Sequence, residues 1–221
     1  MKKGNFFSAK RITGLAVLFA LVIVLQMLGG YFRIGATSLS FVLVPIVLGG
    51  ILYGPIAGGL LGFTFGFIVL MYGVTGADVF TAILFADHPV LTVLTCIVKG
   101  VAAGVGAGCI YKLFEKKHPY VGVFAASAAA PVLNTGLFIL GALLMSDTLR
   151  GNFVANGQTV LYFLIIGCAG INFLVELAIN LIASPSVYRV MNIVSGKRMR
   201  GGAPAKTQAD ENTHTEKETL E

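Results

Sequence analysis

Within the stretch INFLVELAIN, Asn172, Glu176 and Asn180 recur at intervals of four. That spacing puts an amide, a carboxylate and a second amide on one face of a helix. Groups of this kind are costly to expose to lipid, so inside an apolar segment they face a cavity or a partner. Lys99, at the end of VLTCIVK, and Asn134, inside PVLNTG, are placed the same way. The chemistry open to this set is binding: an ammonium, a carboxylate and several amides can form hydrogen bonds and ion pairs with a polar solute.

Bond-breaking chemistry lacks its parts. A hydrolase needs a nucleophile and a base at compatible positions, and the histidines are His88 and His118, at the ends of apolar runs, and His214 in the polar tail. There is no His-Glu-x-x-His, no paired-cysteine metal site and no glycine-rich Lys-Ser/Thr phosphate loop. The three cysteines, Cys96, Cys109 and Cys168, share no short spacing and read as small packing residues. The sequence therefore predicts no catalytic residues, no metal site, no cofactor and no enzymatic activity.

The elements that must hold these groups are membrane helices. The chain is 56% hydrophobic and 12% charged, with mean hydropathy +0.86, outside the range of soluble globular domains. Its formal charge of +6 is not interleaved with aromatic residues on one face, which argues against nucleic acid. The basic start and apolar run from Ile12 to Leu28 resemble a secretory signal, but the run is long and no Ala-x-Ala cleavage site follows. It reads as a mature span.

A helix needs about 20 mostly apolar residues to cross a bilayer. Spans are expected over Ile12–Phe32; over two short segments between Ile34 and Ala77, broken at Tyr53-Gly54-Pro55; and near Pro89–Tyr111, Tyr120–Met145 and Thr159–Ile182. The fold class is an all-α integral membrane protein, a compact bundle of six transmembrane helices. Lysine and arginine gather before the first span, between the fourth and fifth, and after the sixth, which places both termini in the cytoplasm. Residues 1–11 form a basic cytoplasmic N-terminus and 12–194 the membrane domain. Residues 195–221 lack the apolar content to order themselves and form a disordered cytoplasmic tail.

Counting inward from the external ends at about 1.5 Å per residue puts Lys99, Asn134 and Asn172 in one layer near the midplane, from three different spans. That layer predicts a polar chamber open to the outside. Glu176 and Asn180 fall one and two turns deeper and read as structural polar residues that hold helices together or cap the chamber floor. An alternative reading has Lys99 and Glu176 neutralise each other while the asparagines join helices. Gly58, Gly62 and Gly66, like Gly100, Gly104 and Gly108, form stripes of small residues that allow close helix packing.

In order and spacing, four features resemble the substrate-binding S components of energy-coupling factor (ECF) transporters. They are Ala16-Val17-Leu18-Phe19-Ala20, the Leu52-Tyr53-Gly54-Pro55-Ile56-Ala57-Gly58 turn, Lys99-Gly100-Val101-Ala102-Ala103-Gly104, and Pro131-Val132-Leu133-Asn134-Thr135 with Asn172-Phe173-Leu174-Val175-Glu176-Leu177. The resemblance spans roughly Ala9 to Val194. It implies a prokaryotic plasma-membrane subunit that binds a vitamin-like small molecule on the external side. A transmembrane coupling subunit and two ATPase subunits would be its partners. Ala16 and Ala20 inherit the docking role on the coupling subunit. The Gly30–Ser40 loop, with Arg33, and the Gly76–His88 loop, with Asp87, would close over the ligand, while Lys99, Asn134 and Asn172 line the pocket. Lys99 favours an anionic substrate such as pantothenate or folate, though an ammonium also bonds to a flavin carbonyl, so riboflavin stays open. The competing reading is a stand-alone proton-coupled secondary carrier in which Glu176 binds the proton, although the internal repeats of such carriers are not evident. A third is a membrane scaffold that binds no small molecule.

Overall fold

A computed structural model describes residues 9–29, 33–34, 37–38, 41–155 and 157–194. Most of the basic N-terminus and the whole 195–221 tail lie outside the described residues, as does the side chain of Arg33.

The helices follow the apolar windows and stop where backbone chemistry stops them. Helix α1 covers Ala9–Gly29. A two-residue antiparallel ribbon follows, β1 (Arg33–Ile34) with β2 (Thr37–Ser38), in which Arg33 pairs with Ser38 and Ile34 with Thr37; apart from it the described fold is helical. Helix α2 (Leu43–Tyr53) ends at Gly54, whose φ of +97° suits glycine. Pro55 then starts α3 (Pro55–Val74) at a position where its missing N–H costs nothing.

The expected break is thus at the right place, but the two segments are unequal. With 20 residues α3 is long enough to cross, whereas the 11 residues of α2 reach only about 16 Å. The described chain therefore has five helices long and apolar enough to span a membrane, plus this short one. The short helix is central: Val42, Leu43, Ile46 and Val47 are wholly buried in the main core, with Leu61, Phe65 and Ala103. Its contribution is packing.

The Gly76–His88 segment, expected as a loop, is largely helix α4 (Val79–Asp87). Asp78 caps it, accepting hydrogen bonds from the Thr81 backbone N–H at 3.3 Å and from the Thr81 hydroxyl. Helix α5 (Pro89–Phe114) and helix α6 (Pro119–Leu143) follow, then the short α7 (Ser146–Asn152). The last span runs beyond the expected end at Ile182. It comprises α8 (Val160–Tyr162), a π-helical stretch (Phe163–Ala169) and α9 (Gly170–Val194). Pro185 lies inside α9 without ending it.

The glycine stripes decide how α3 and α5 meet. A methyl group on Gly58 would overlap the Gly104 carbonyl, one on Gly62 the Gly100 carbonyl, and one on Gly66 the Cys96 carbonyl. The overlaps are reciprocal, since Gly100 and Gly104 meet the carbonyls of Gly62 and Gly58. The two helices lie backbone against backbone, which only glycine permits. At the α4/α7 end a second core gathers Phe80, Leu84, Met145, Leu149 and Leu164.

Candidate functional site

The polar groups that interrupt the apolar windows converge on a partly open cavity whose empty space, counted with the part open to solvent, is about 600 Å³. Helix α5 brings Lys99, α6 brings Asn134 and Thr135, and α9 brings Asn172 and Glu176 to its wall. Lys99, Asn134 and Asn172, placed at one depth by counting, thus come together from three helices.

Aromatic faces surround the ammonium. Lys99 Nζ lies 5.0 Å from the ring centroid of Phe138 and 5.8 Å from that of Phe65, within the range of cation–π attraction. Phe80 leans on Phe138 at 5.9 Å and on Phe153 at 4.9 Å between centroids, so α4 is fastened over the cavity by ring contacts. Asp78 and Thr81, at the start of the same helix, also line it.

Asn134 is 6% exposed, and its Oδ1, enclosed by protein, has no hydrogen-bond partner among the described residues. Gln26 on α1 is 2% exposed, lines the same cavity, and its Oε1 is in the same condition. Buried polar atoms are nearly always paired in native proteins, so these two amide oxygens are acceptors that the described fold leaves unused on the cavity wall.

Glu176, expected as a helix-joining residue or at the chamber floor, lines the cavity. Side chains on a helix tilt toward its N-terminus, and the long glutamate arm lifts its carboxylate above the level of its own Cα. Asn180 stays outside the lining; its Nδ2 donates to the Glu176 carbonyl oxygen at 2.8 Å, and the Ser184 hydroxyl donates to the Asn180 carbonyl oxygen at 2.8 Å. Asp87 is exposed and does not line the cavity. It accepts a 2.8 Å hydrogen bond from the Thr148 hydroxyl, tying α4 to α7. The C-terminal end of α4 points away from the chamber and its N-terminal end faces it, so Asp78 takes the place expected of Asp87.

Two lining residues missed from sequence left a signal. Gln26 is the single polar residue between Leu15 and Gly29. Asp78 stands three residues before Thr81 at the head of an apolar run, the pattern of a helix N-cap. Ala16 and Ala20 lie on the exposed face of α1, opposite the buried Leu18 and Val22.

The family model for the substrate-specific component of ECF transporters matches residues 10–188. The chain belongs to that family. This S component is accordingly a multi-pass membrane protein and a substrate-binding transport subunit. A comparison with curated proteins finds no match. In this S component, the cavity at α4 is where the buried polar residues of α5, α6 and α9 come together.

Proposed function

We propose that this S component captures a water-soluble vitamin or related micronutrient from the external side of a prokaryotic plasma membrane. A transmembrane coupling subunit and two ATPase subunits then drive its uptake, with the exposed Ala16 and Ala20 as the docking face. The reading rests above all on one observation: Lys99, Asn134 and Asn172, from three separate spans, line a single cavity under α4. A protein whose polar residues only joined helices would have no reason to gather them around a partly open cavity.

Lys99 taken alone favours an anion. Asp78 and Glu176 stand in the same lining, so the described charges no longer select for one, and riboflavin belongs beside pantothenate and folate among the first solutes to test. Family membership leaves the proton-coupled carrier without an observation of its own.

Native mass spectrometry of the detergent-purified protein tests the reading. A retained small molecule is expected, with occupancy reduced at least tenfold in Lys99→Ala, since a hydrogen bond to a charged group contributes about 1.5–3 kcal/mol. A protein that arrives empty and ignores added riboflavin, pantothenate and folate would overturn it.

A further inference from the structure

Helix α1 is the most lightly embedded of the five long spans. Only 22% of its apolar window is buried, against 50% for α3 and 33% for each of the others. Its buried face is Leu18, Val22, Gln26 and Gly29, about one residue per turn. Gln26 is the one polar side chain among these and reaches the cavity wall. A polar group held at 2% exposure to brace the empty protein would need a protein partner. Gln26 Oε1 has none among the described residues.

We propose that Gln26 is a substrate-binding residue through which the bound solute tethers α1. A solute N–H or O–H donates to Gln26 Oε1, and a second donor on the solute reaches Asn134 Oδ1 on α6. Occupying the cavity then links the loosely held helix to the body of the bundle. The solute class that fits is a polar molecule with hydrogen-bond donors on two sides. This inference rests on the substrate-capture reading above. It extends that reading to the helix that also carries the exposed Ala16 and Ala20, so the same helix meets both solute and partner.

Gln26→Met keeps the volume and removes the amide. Two measurements on the purified full-length protein decide the matter: the unfolding temperature without ligand, and equilibrium binding of riboflavin, pantothenate and folate, each added alone. An apolar isostere relieves an unsatisfied buried oxygen, so ligand-free Gln26→Met is expected to unfold at or above the wild-type temperature. Whichever probe the wild type binds should lose at least about tenfold in affinity, the equivalent of one good hydrogen bond. A drop of several degrees in the ligand-free variant would make Gln26 a structural brace and overturn the inference; so would wild-type affinity for the probe. If the wild type binds none of the three, the capture reading loses its support. The unfolding comparison still judges Gln26, a drop overturning the inference and an equal or higher temperature supporting it.

Discussion

Glu176 carries a carboxylate on an arm long enough to reach one turn back along α9, and that reach changes what its removal should do. With the side chain in the cavity lining at 5% exposure, Glu176→Gln preserves shape while cancelling charge. We expect ligand affinity to fall at least about tenfold, matching the loss of a charge-assisted hydrogen bond, as measured by titration of whichever solute co-purifies. Unchanged affinity would return Glu176 to a purely structural role. Asn180→Ala is the matched control, because the Asn180 amide is already engaged with the Glu176 backbone carbonyl and lies outside the lining. It should lower stability and leave affinity alone. At this scale the sequence was legible wherever a polar residue broke an apolar window near mid-span, as Lys99, Asn134 and Asn172 do. Counting along the helix axis locates a Cα, however, and not the end of a side chain, so depth alone does not tell how far Glu176 reaches into the lining. A segment read as a loop has no inner and outer end, so the sequence alone does not separate Asp78, which lines the cavity, from Asp87, which does not.

At the scale of elements, the α3–α5 contact is the least forgiving part of the bundle. A methyl group at Gly62 meets the Gly100 carbonyl and the backbone beyond it. No flexible side chain can move aside, so the helices must separate. Gly62→Ala should cost about 1–3 kcal/mol, the range for overpacking. By contrast, a methyl at Gly136 on α6 meets nothing within 4 Å, and Gly136→Ala should be neutral or stabilising because alanine favours the helix. A thiol-reactive dye can read both, since Cys96 and Cys168 are buried cysteines that unfolding exposes, above the constant signal of the exposed Cys109. Equal stability of the two variants would show that the glycines are not packing devices. The stripe of glycines and the Gly54-Pro55 break were both readable in the sequence, because each is a local rule about backbone space. Helices α4 and α7 were not, being too short for periodicity to separate from a loop, and the π-helical stretch at Phe163–Ala169 leaves no compositional mark in an apolar run.

For the whole molecule, the docking proposed above would depend on what the outer faces of the bundle present. Most of the lipid-facing surface is bulky: Val17, Ile23, Val24, Met27 and Leu28 project from α1, and Ile56, Leu60, Phe63 and Phe67 from α3. Ala16 and Ala20 are exposed on α1 with small side chains one turn apart, which leaves a shallow strip where a partner helix can approach closely. Because Leu18, Val22 and Gln26 occupy the buried side, filling the strip should block docking without touching the cavity. Ala16→Trp combined with Ala20→Trp is therefore expected to abolish uptake in cells that contain the coupling subunit and ATPases. Solute affinity of the purified variant should remain that of the wild type. Uptake measured alongside binding separates the two functions. Loss of both would mean that the tryptophans distort the bundle, whereas intact uptake would show that the partner approaches another face.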